Sequence, residues 1–212
     1  WTTYVFKENG NLTVNKDITV YSSTGTTYLF FAPYNTFDEN GNQTFDLSGS
    51  LHVKGNFDVT TNSTQSDYDS GDSSVPFSWV SSGVNTTIDG SVNIKSNNKY
   101  NIKYKDTDGN EHVTNVGGAL FSLGGKTTIE KDLNVEKSSL NITPIAGAIN
   151  NKWFSIADSG KAQINGNAKF TDGSLDVLGN LSIKGDLSLD NSLLSLTSYT
   201  TFYNDGKEEK QQ

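Results

Sequence analysis

The residues with the richest chemistry in this chain are sparse and scattered. His52 and His112 are its only two histidines, and it has no cysteine. His52 sits between Leu51 and Val53 in strand-like alternation, which turns it outward, and His112 falls in the arm of an expected hairpin. Neither has the setting of a general base, so no catalytic residue is expected. Two acidic clusters, Asp67, Asp69 and Asp72, and Asp106, Asp108 and Glu111 around Gly109, offer oxygen ligands of the kind calcium takes. Both are shorter than an EF-hand loop, and aspartate's ordinary work at such places is to build turns, so no cofactor or metal is assigned. Tyr34, Phe37, Tyr68 and Tyr104 are a different matter. They stand among carboxylates, with Asp106 and Asp108 close to the last of them, and aromatic rings beside acceptors suit contact with a protein or a sugar.

Composition narrows the classes. Arginine is absent and the net charge is −8, so the forks that grip phosphates and read bases are missing and nucleic acid is not an expected partner. Without cysteine there is no disulfide framework, thiolate nucleophile or Cys-based zinc site. Apolar residues make up 33% of the chain, which suits a narrow stacked interior better than a broad one. No stretch approaches the roughly 18 apolar residues of a membrane helix, so direct membrane insertion of this segment is not expected. Polarity comes mainly from Asn, Ser, Thr and Asp, a balance suited to an exported surface. The chain opens on Trp1 and has no methionine, which leads us to expect a fragment of a longer precursor. Sequons such as those at Asn42, Asn62, Asn85 and Asn141 arise by chance in so Asn- and Thr-rich a chain.

The elements that must position these residues are short. From Leu175 to Leu196 the sequence reads apolar, polar, apolar, then a tight turn of Gly, Asn or Asp, over and over. This is strand alternation in pieces too short for an ordinary sheet, and it predicts a β-solenoid turning its corners. A related device recurs as Leu47 to Val53 (LSGSLHV), Ile88 to Ile94 (IDGSVNI) and Ile164 to Phe170 (INGNAKF). Ile129 to Val135 (IEKDLNV) keeps the spacing with Lys131 in the glycine position. These copies begin 41, 41 and 35 residues apart, so Leu51, Val92, Leu133 and Ala168 are expected to stack in successive coils. Phe6, Phe77, Phe121, Phe154 and Phe202 recur once per unit and predict an inward aromatic ladder, with Ser78, Ser122 and Ser155 facing water.

The fold predicted is one all-β domain over residues 1–212, a right-handed parallel β-helix of five or six coils with insertions on one side; the alternative is an antiparallel β-sandwich. Tyr34 to Leu47 reads as a hairpin about Asn40 and Gly41, Tyr100 to Val116 as another about Asp108 and Gly109, and Thr61 to Ser74 as a flexible loop. Only Thr143 to Asn151 holds any helical signal.

The runs GNLTVNKDITV, DLSGSLHVKGNFDV and LDVLGNLSIKGDLSL, with the Asn, Thr and Ser richness and the lack of cysteine, resemble the passenger domains of bacterial autotransporters of type V secretion, adhesins and more distantly the vacuolating-cytotoxin-like group. The resemblance covers most of the chain and concerns architecture. It implies a virulence-associated β-helix displayed outside the outer membrane or secreted, with a host-cell or bacterial surface receptor or a glycan as partner. No C-terminal barrel follows the polar KEEKQQ tail, so the expectation is a passenger fragment. Function is then expected to be adhesion or host-cell contact without catalysis. Alternatives are a structural stalk presenting another domain, or a polysaccharide-degrading enzyme, for which two suitably spaced carboxylates suffice; the arginine base of β-helical lyases is missing. Stacked edges also make self-association plausible.

Overall fold

Strands of four or five residues bury one or two side chains each, so they gain stability only by stacking on copies of themselves. The computed structural model describes residues 2–6, 10–150, 152–197, 200–204 and 207–211, the first and the last two of these stretches for their backbone alone. All regular structure in it is β. The chain passes through three sheets in rotation, and each full passage is here called a circuit.

The first circuit is β1 (Thr2–Phe6), β2 (Asn11–Val14) and β3 (Ile18–Ser22). The second is β4 (Thr26–Phe37), which runs on into a hairpin with β5 (Gln43–Asp46), then β6 (Ser50–Val53) and β7 (Phe57–Thr61), followed by the short β8 (Asp67–Asp69). The third is β9 (Phe77–Ser82), β10 (Asn85–Ile88) and β11 (Val92–Ser96), followed by the hairpin β12 (Lys99–Lys105) and β13 (Glu111–Gly117). The fourth is β14 (Ala119–Leu123), β15 (Lys126–Ile129) and β16 (Leu133–Glu136). The fifth is β17 (Ser139–Ile142), the hairpin β18 (Ala146–Ile149) and β19 (Lys152–Ser155), then β20 (Lys161–Ile164) and β21 (Ala168–Thr171). The sixth is β22 (Ser174–Val177), β23 (Asn180–Ile183) and β24 (Leu187–Asp190); β25 (Leu193–Leu196) then returns to the first sheet, and β26 (Thr200–Asn204) pairs with β27 (Lys207–Gln211).

Each of the three sheets is parallel along the stack, β1-β4-β9-β14-β17-β22-β25, β2-β6-β10-β15-β20-β23 and β3-β7-β11-β16-β21-β24, as a β-solenoid requires. The antiparallel sandwich is thereby set aside. Inward positions form columns. Val14, Val53, Ile88, Ile129, Ile164 and Ile183 follow one another up the second sheet, and Val20, Val59, Ile94, Val135, Phe170 and Leu189 up the third. Stacked branched side chains fill this narrow interior, and the middle of each column is fully buried.

The corner between the second and third sheets explains the glycine device. The Asp17 carboxylate accepts the Asn56 N–H (2.7 Å), Asn56 Oδ1 accepts that of Ser91 (2.9 Å), Ser91 Oγ that of Asp132 (3.3 Å), Asp132 Oδ1 that of Asn167 (2.8 Å) and Asn167 Oδ1 that of Asp186 (2.9 Å). Each side chain thus caps an N–H one circuit further on. The residue before the capped one stands directly over the capping oxygen, so a methyl group at Gly55, Gly90, Gly166 or Gly185 would sit on the oxygen of Asp17, Asn56, Asp132 or Asn167. Lys131 departs from the pattern because the residue beneath it is Ser91, whose side chain is one atom shorter. There the corner is slack: Lys131 N lies 3.3 Å from the Gly90 carbonyl, against 2.9 Å for Gly90 on Gly55 and 3.0 Å for Gly166 on Lys131.

The ladder also corrects the expected register. The true second-circuit copy is Val53 to Phe57 (VKGNF), so Val92, Leu133 and Ala168 stack on Phe57, whereas Leu51 lies in the second sheet against Thr86. The repeat is not a 41-residue unit; its bare form is the 19-residue step from Asn167 to Asp186. The expected aromatic ladder does not form either. Ser78, Val80 and Ser82 point inward and Phe77 and Trp79 outward, Phe121 packs inside at 5.0 Å from Phe57, and Phe154 belongs to the β18–β19 hairpin; the side chains of Phe6 and Phe202 lie outside the described residues. Of Thr143 to Asn151, the one helical candidate, residues 143–150 form β18 and its flanks instead, and Asn151 lies outside the described residues.

At the corner between the third and first sheets, Lys137, Asp172 and Asn191 adopt φ of 49°, 49° and 47° in three successive circuits. Asp and Asn adopt this left-handed region at lower cost than lysine does. Lys137→Asn is therefore expected to raise stability by about 0.5–1 kcal/mol in urea denaturation. The second-to-third corner makes a sharper forecast. Ser91→Asn should destabilise by about 1–3 kcal/mol, because its longer side chain meets the Cβ of Lys131. Adding Lys131→Gly should restore the loss; effects that simply add in the double-mutant cycle would refute the steric coupling.

Candidate functional site

The insertions leave at two corners, not on one side as expected. The β4–β5 and β18–β19 hairpins emerge between the first and second sheets, and β8 with the β12–β13 arm between the third and first. What permits the second exit is a corner lined by small hydroxyls. The Thr61 hydroxyl donates to the Gly118 carbonyl (2.5 Å) and lies 2.9 Å from that of Ser78, which donates to the Thr60 carbonyl (2.8 Å). Gly118 is tucked against the Tyr100 and Ser96 hydroxyls, with no room there for a side chain.

The stretch read as a flexible loop is ordered around Tyr68. Its strand β8 lies parallel to β12, and Tyr68 is only 6% exposed, edge-on to Tyr100 at 5.5 Å and hydrogen-bonded to Ser63. Tyr68 is therefore a structural anchor, not the surface contact expected. Its alternation was masked by the flanking Asp67 and Asp69, which face out as the polar half of a three-residue strand. Burial raises the Tyr100 pKa above its ordinary value.

Beyond this base the arm projects. Tyr104 is 41% exposed and stacks on His112 at 5.2 Å and 22°. Asp106 holds the tip together: its carboxylate takes His112 Nε2 (2.7 Å) and the N–H groups of Asp108 and Asn110 (both 2.9 Å), while the Asn110 amide donates to its second oxygen (3.1 Å). The His112 contact, followed by the Asn110 bonds, lowers the Asp106 pKa to about 2. Asp108 contributes its backbone at the exposed turn, where Gly109 has φ 84°. A recess of about 340 Å³ lies beside the outer half of the arm, between Asp69 and Ser70 on one side and Tyr104 and Glu111 on the other.

The first hairpin is closed by the same device. Asp38 accepts the N–H groups of Asn40 (2.9 Å) and Asn42 (2.8 Å) and the Asn42 amide (2.8 Å), and Gly41 has φ 76°. Phe37 beside that turn is 62% exposed, and Tyr34 is half-buried opposite Asp46. This hairpin is clasped to β18–β19: Gln43 Oε1 accepts the Ala148 N–H and Asn42 Oδ1 the Asn150 N–H, both at 2.8 Å. Gly147 lets the Phe45 and Phe154 rings close over it. The aromatic sites proposed from sequence thus fall in two separate places, Tyr34 and Phe37 on one corner, Tyr104, Asp106 and Asp108 on another.

The remaining candidates are spent on structure. Asp67 accepts from Asn101 and Ser66, and Asp72 from the backbone and hydroxyl of Ser74. His52 faces out as expected and pairs with Asp89 at 2.9 Å. Among the described residues no three His, Asp or Glu side chains converge as metal ligands do.

Sequence reading missed one cluster. On the outer face of the first sheet Tyr28, Phe30 and Trp79 meet at centroid distances of 5.2–5.6 Å. The signal was the unbroken run Tyr28 to Phe31, because four consecutive large side chains in a strand must place two on each face. Compared with models of protein families, with curated proteins and with solved structures, the chain matches none.

The tip has a pH signature. A carboxylate whose pKa is depressed stabilises above its ordinary value of 3.8 and loses that contribution as the pH falls toward 2. His112→Ala should move the Asp106 midpoint upward in a carboxyl ¹³C NMR titration; an unmoved midpoint would show that the imidazole is not the main cause.

Proposed function

We propose that this chain is a right-handed parallel β-helix displayed at a bacterial cell surface or secreted, of the autotransporter-passenger kind, and that it works without catalysis in adhesion or host-cell contact. The handedness rests on a general rule. Successive parallel strands of one sheet are joined here through the other two, and parallel crossovers are right-handed in about 98% of cases. The observation that carries the function is the form of the β12–β13 arm. It leaves the stack at a sealed corner, interrupts none of the three stacked ladders, and carries an exposed Tyr104–His112 pair and the Asp106 turn outside those three sheets, beyond its pairing with β8. A stiff stack beneath an aromatic and acidic projection is a sound arrangement for engaging a protein or glycan receptor.

The experiment replaces Lys103 to Val113 by a tight turn while keeping Tyr100 and Val116, which belong to the base. Circular dichroism and melting cooperativity are expected to stay nearly unchanged while attachment of the purified protein to host cells falls. Attachment that survives removal of the arm tip and of the Phe37 tip together would overturn the role of the projections and leave the chain as a stalk.

A further inference from the structure

We propose that the outer face of the first sheet carries a second, distinct site, a groove that binds an extended neutral oligosaccharide. The proposal rests on the surface-contact reading for its biological setting and on its own geometry for its chemistry. The groove has a volume of about 840 Å³ and is walled on one side by the base of the arm at Asn115 and Val116. Its floor rises through the circuits, from Phe77 by Leu120, Ser139 and Ser174 to Leu193. Four strand-to-strand steps of roughly 4.8 Å make it about 19 Å long, the reach of a short chain of sugar rings and far more than one ring needs.

Three features select the occupant. Floor strands β9, β14, β17 and β22 already spend their backbone groups on parallel neighbours to both sides, so a peptide cannot join there as an added strand; β25, paired with β22 alone among the described strands, is the edge of the sheet. Among the described residues Lys99 is the only cation lining the groove, Asp172 lines it too, and the chain carries −8, so a phosphorylated, sulfated or sialylated polymer is repelled. What remains on offer is the amide of Asn141 and the hydroxyl pair of Ser139 and Ser174, which bond each other at 2.7 Å and keep one further donor between them, while the Asn191 amide is held by Asp172; an apolar platform lies at one end where Phe77 and Leu120 adjoin the Trp79 cluster. That pairing of flat apolar surface with directed uncharged polar groups matches a sugar, which is apolar on its ring faces and hydroxylated round its rim. Asp176, beside Asn141 in register, holds a shielded oxygen, Oδ1, with no donor among the described residues; a ligand hydroxyl reached by a turn of that carboxylate supplies one.

The test uses the whole chain on an array of neutral, sialylated and sulfated oligosaccharides, followed by calorimetry with the best neutral binder. Asn141→Ala and Phe77→Ala, both at residues that line the groove, are each expected to weaken that binding about tenfold or more. The arm-truncated protein should bind as the parent does. Asn141 faces outward, so Asn141→Ala leaves circular dichroism unchanged and carries the test even if Phe77→Ala disturbs the sheet. Failure to hold any neutral glycan, a preference for the charged ones, or full affinity in Asn141→Ala would overturn the site. Binding lost only on arm truncation would place the ligand on the arm, ending the groove proposal while sparing the contact function. Groove binding without any effect of Asn141→Ala or arm truncation on cell attachment would do the reverse.

Discussion

A side-chain oxygen that reaches the backbone of the next circuit is the constraint on which the rest of this molecule depends. Parallel ladders hold the strands, but the corners leave N–H groups that the ladders do not reach, and a buried or half-buried N–H without a partner costs about 1–3 kcal/mol. Asp17, Asn56, Ser91, Asp132 and Asn167 meet that need once per circuit. The requirement passes upward: whichever oxygen caps from below dictates whether the residue above can carry a side chain. Glycine in this repeat is therefore a steric complement to the residue beneath it in space, 34 or 38 positions earlier in the longer circuits and 18 in the shortest.

The opposite corner obeys a looser rule, and the departures from the stack follow from it. Where the third sheet turns into the first, Ser22, Thr61, Ser96 and Ser138 are buried hydroxyls that bond to whatever backbone passes them. A corner sealed by adaptable hydroxyls accepts chain leaving and re-entering in a way that a corner capped in strict register cannot. Both the strand of Tyr68 and the β12–β13 arm use this exit, and each returns to the stack in register.

Much of this was legible in the sequence, for reasons that also explain what was not. Alternation over pieces such as Leu187 to Leu189, broken by Gly-Asp and Asp-Asn, declares short strands and corners, and Asn40-Gly41 and Asp108-Gly109 declare hairpins, because these signals are local. Register is not local. LSGSLHV and VKGNF overlap and carry equivalent patterns, and only the position of Asp17 beneath Gly55 decides between them. Facing also fails where both sides of a strand are apolar: Phe77-Ser-Trp79 reads as an inward aromatic pair, and the small Ser78 that in fact points inward is fixed by Thr61, seventeen residues away in sequence and adjacent in space. The exposed placing of Tyr104 on a hairpin arm, with Asp106 and Asp108 at its turn, was legible, and the burial of Tyr68 was not, because it depends on Tyr100 in the following circuit.

The clasp between the first and third hairpins changes how the stack comes apart. A solenoid in which each circuit touches only its neighbours can fray from an end, one layer at a time, because no layer knows the state of those beyond the next. The bonds from Ala148 and Asn150 to Gln43 and Asn42 join the second circuit directly to the fifth, across more than a hundred residues. The third and fourth circuits become the enclosed span of a buckled strap, held at both ends by elements that lie outside the ladders. Pulling on the chain loads the buckle before it loads the layers it encloses, and those layers come free as one block once it opens.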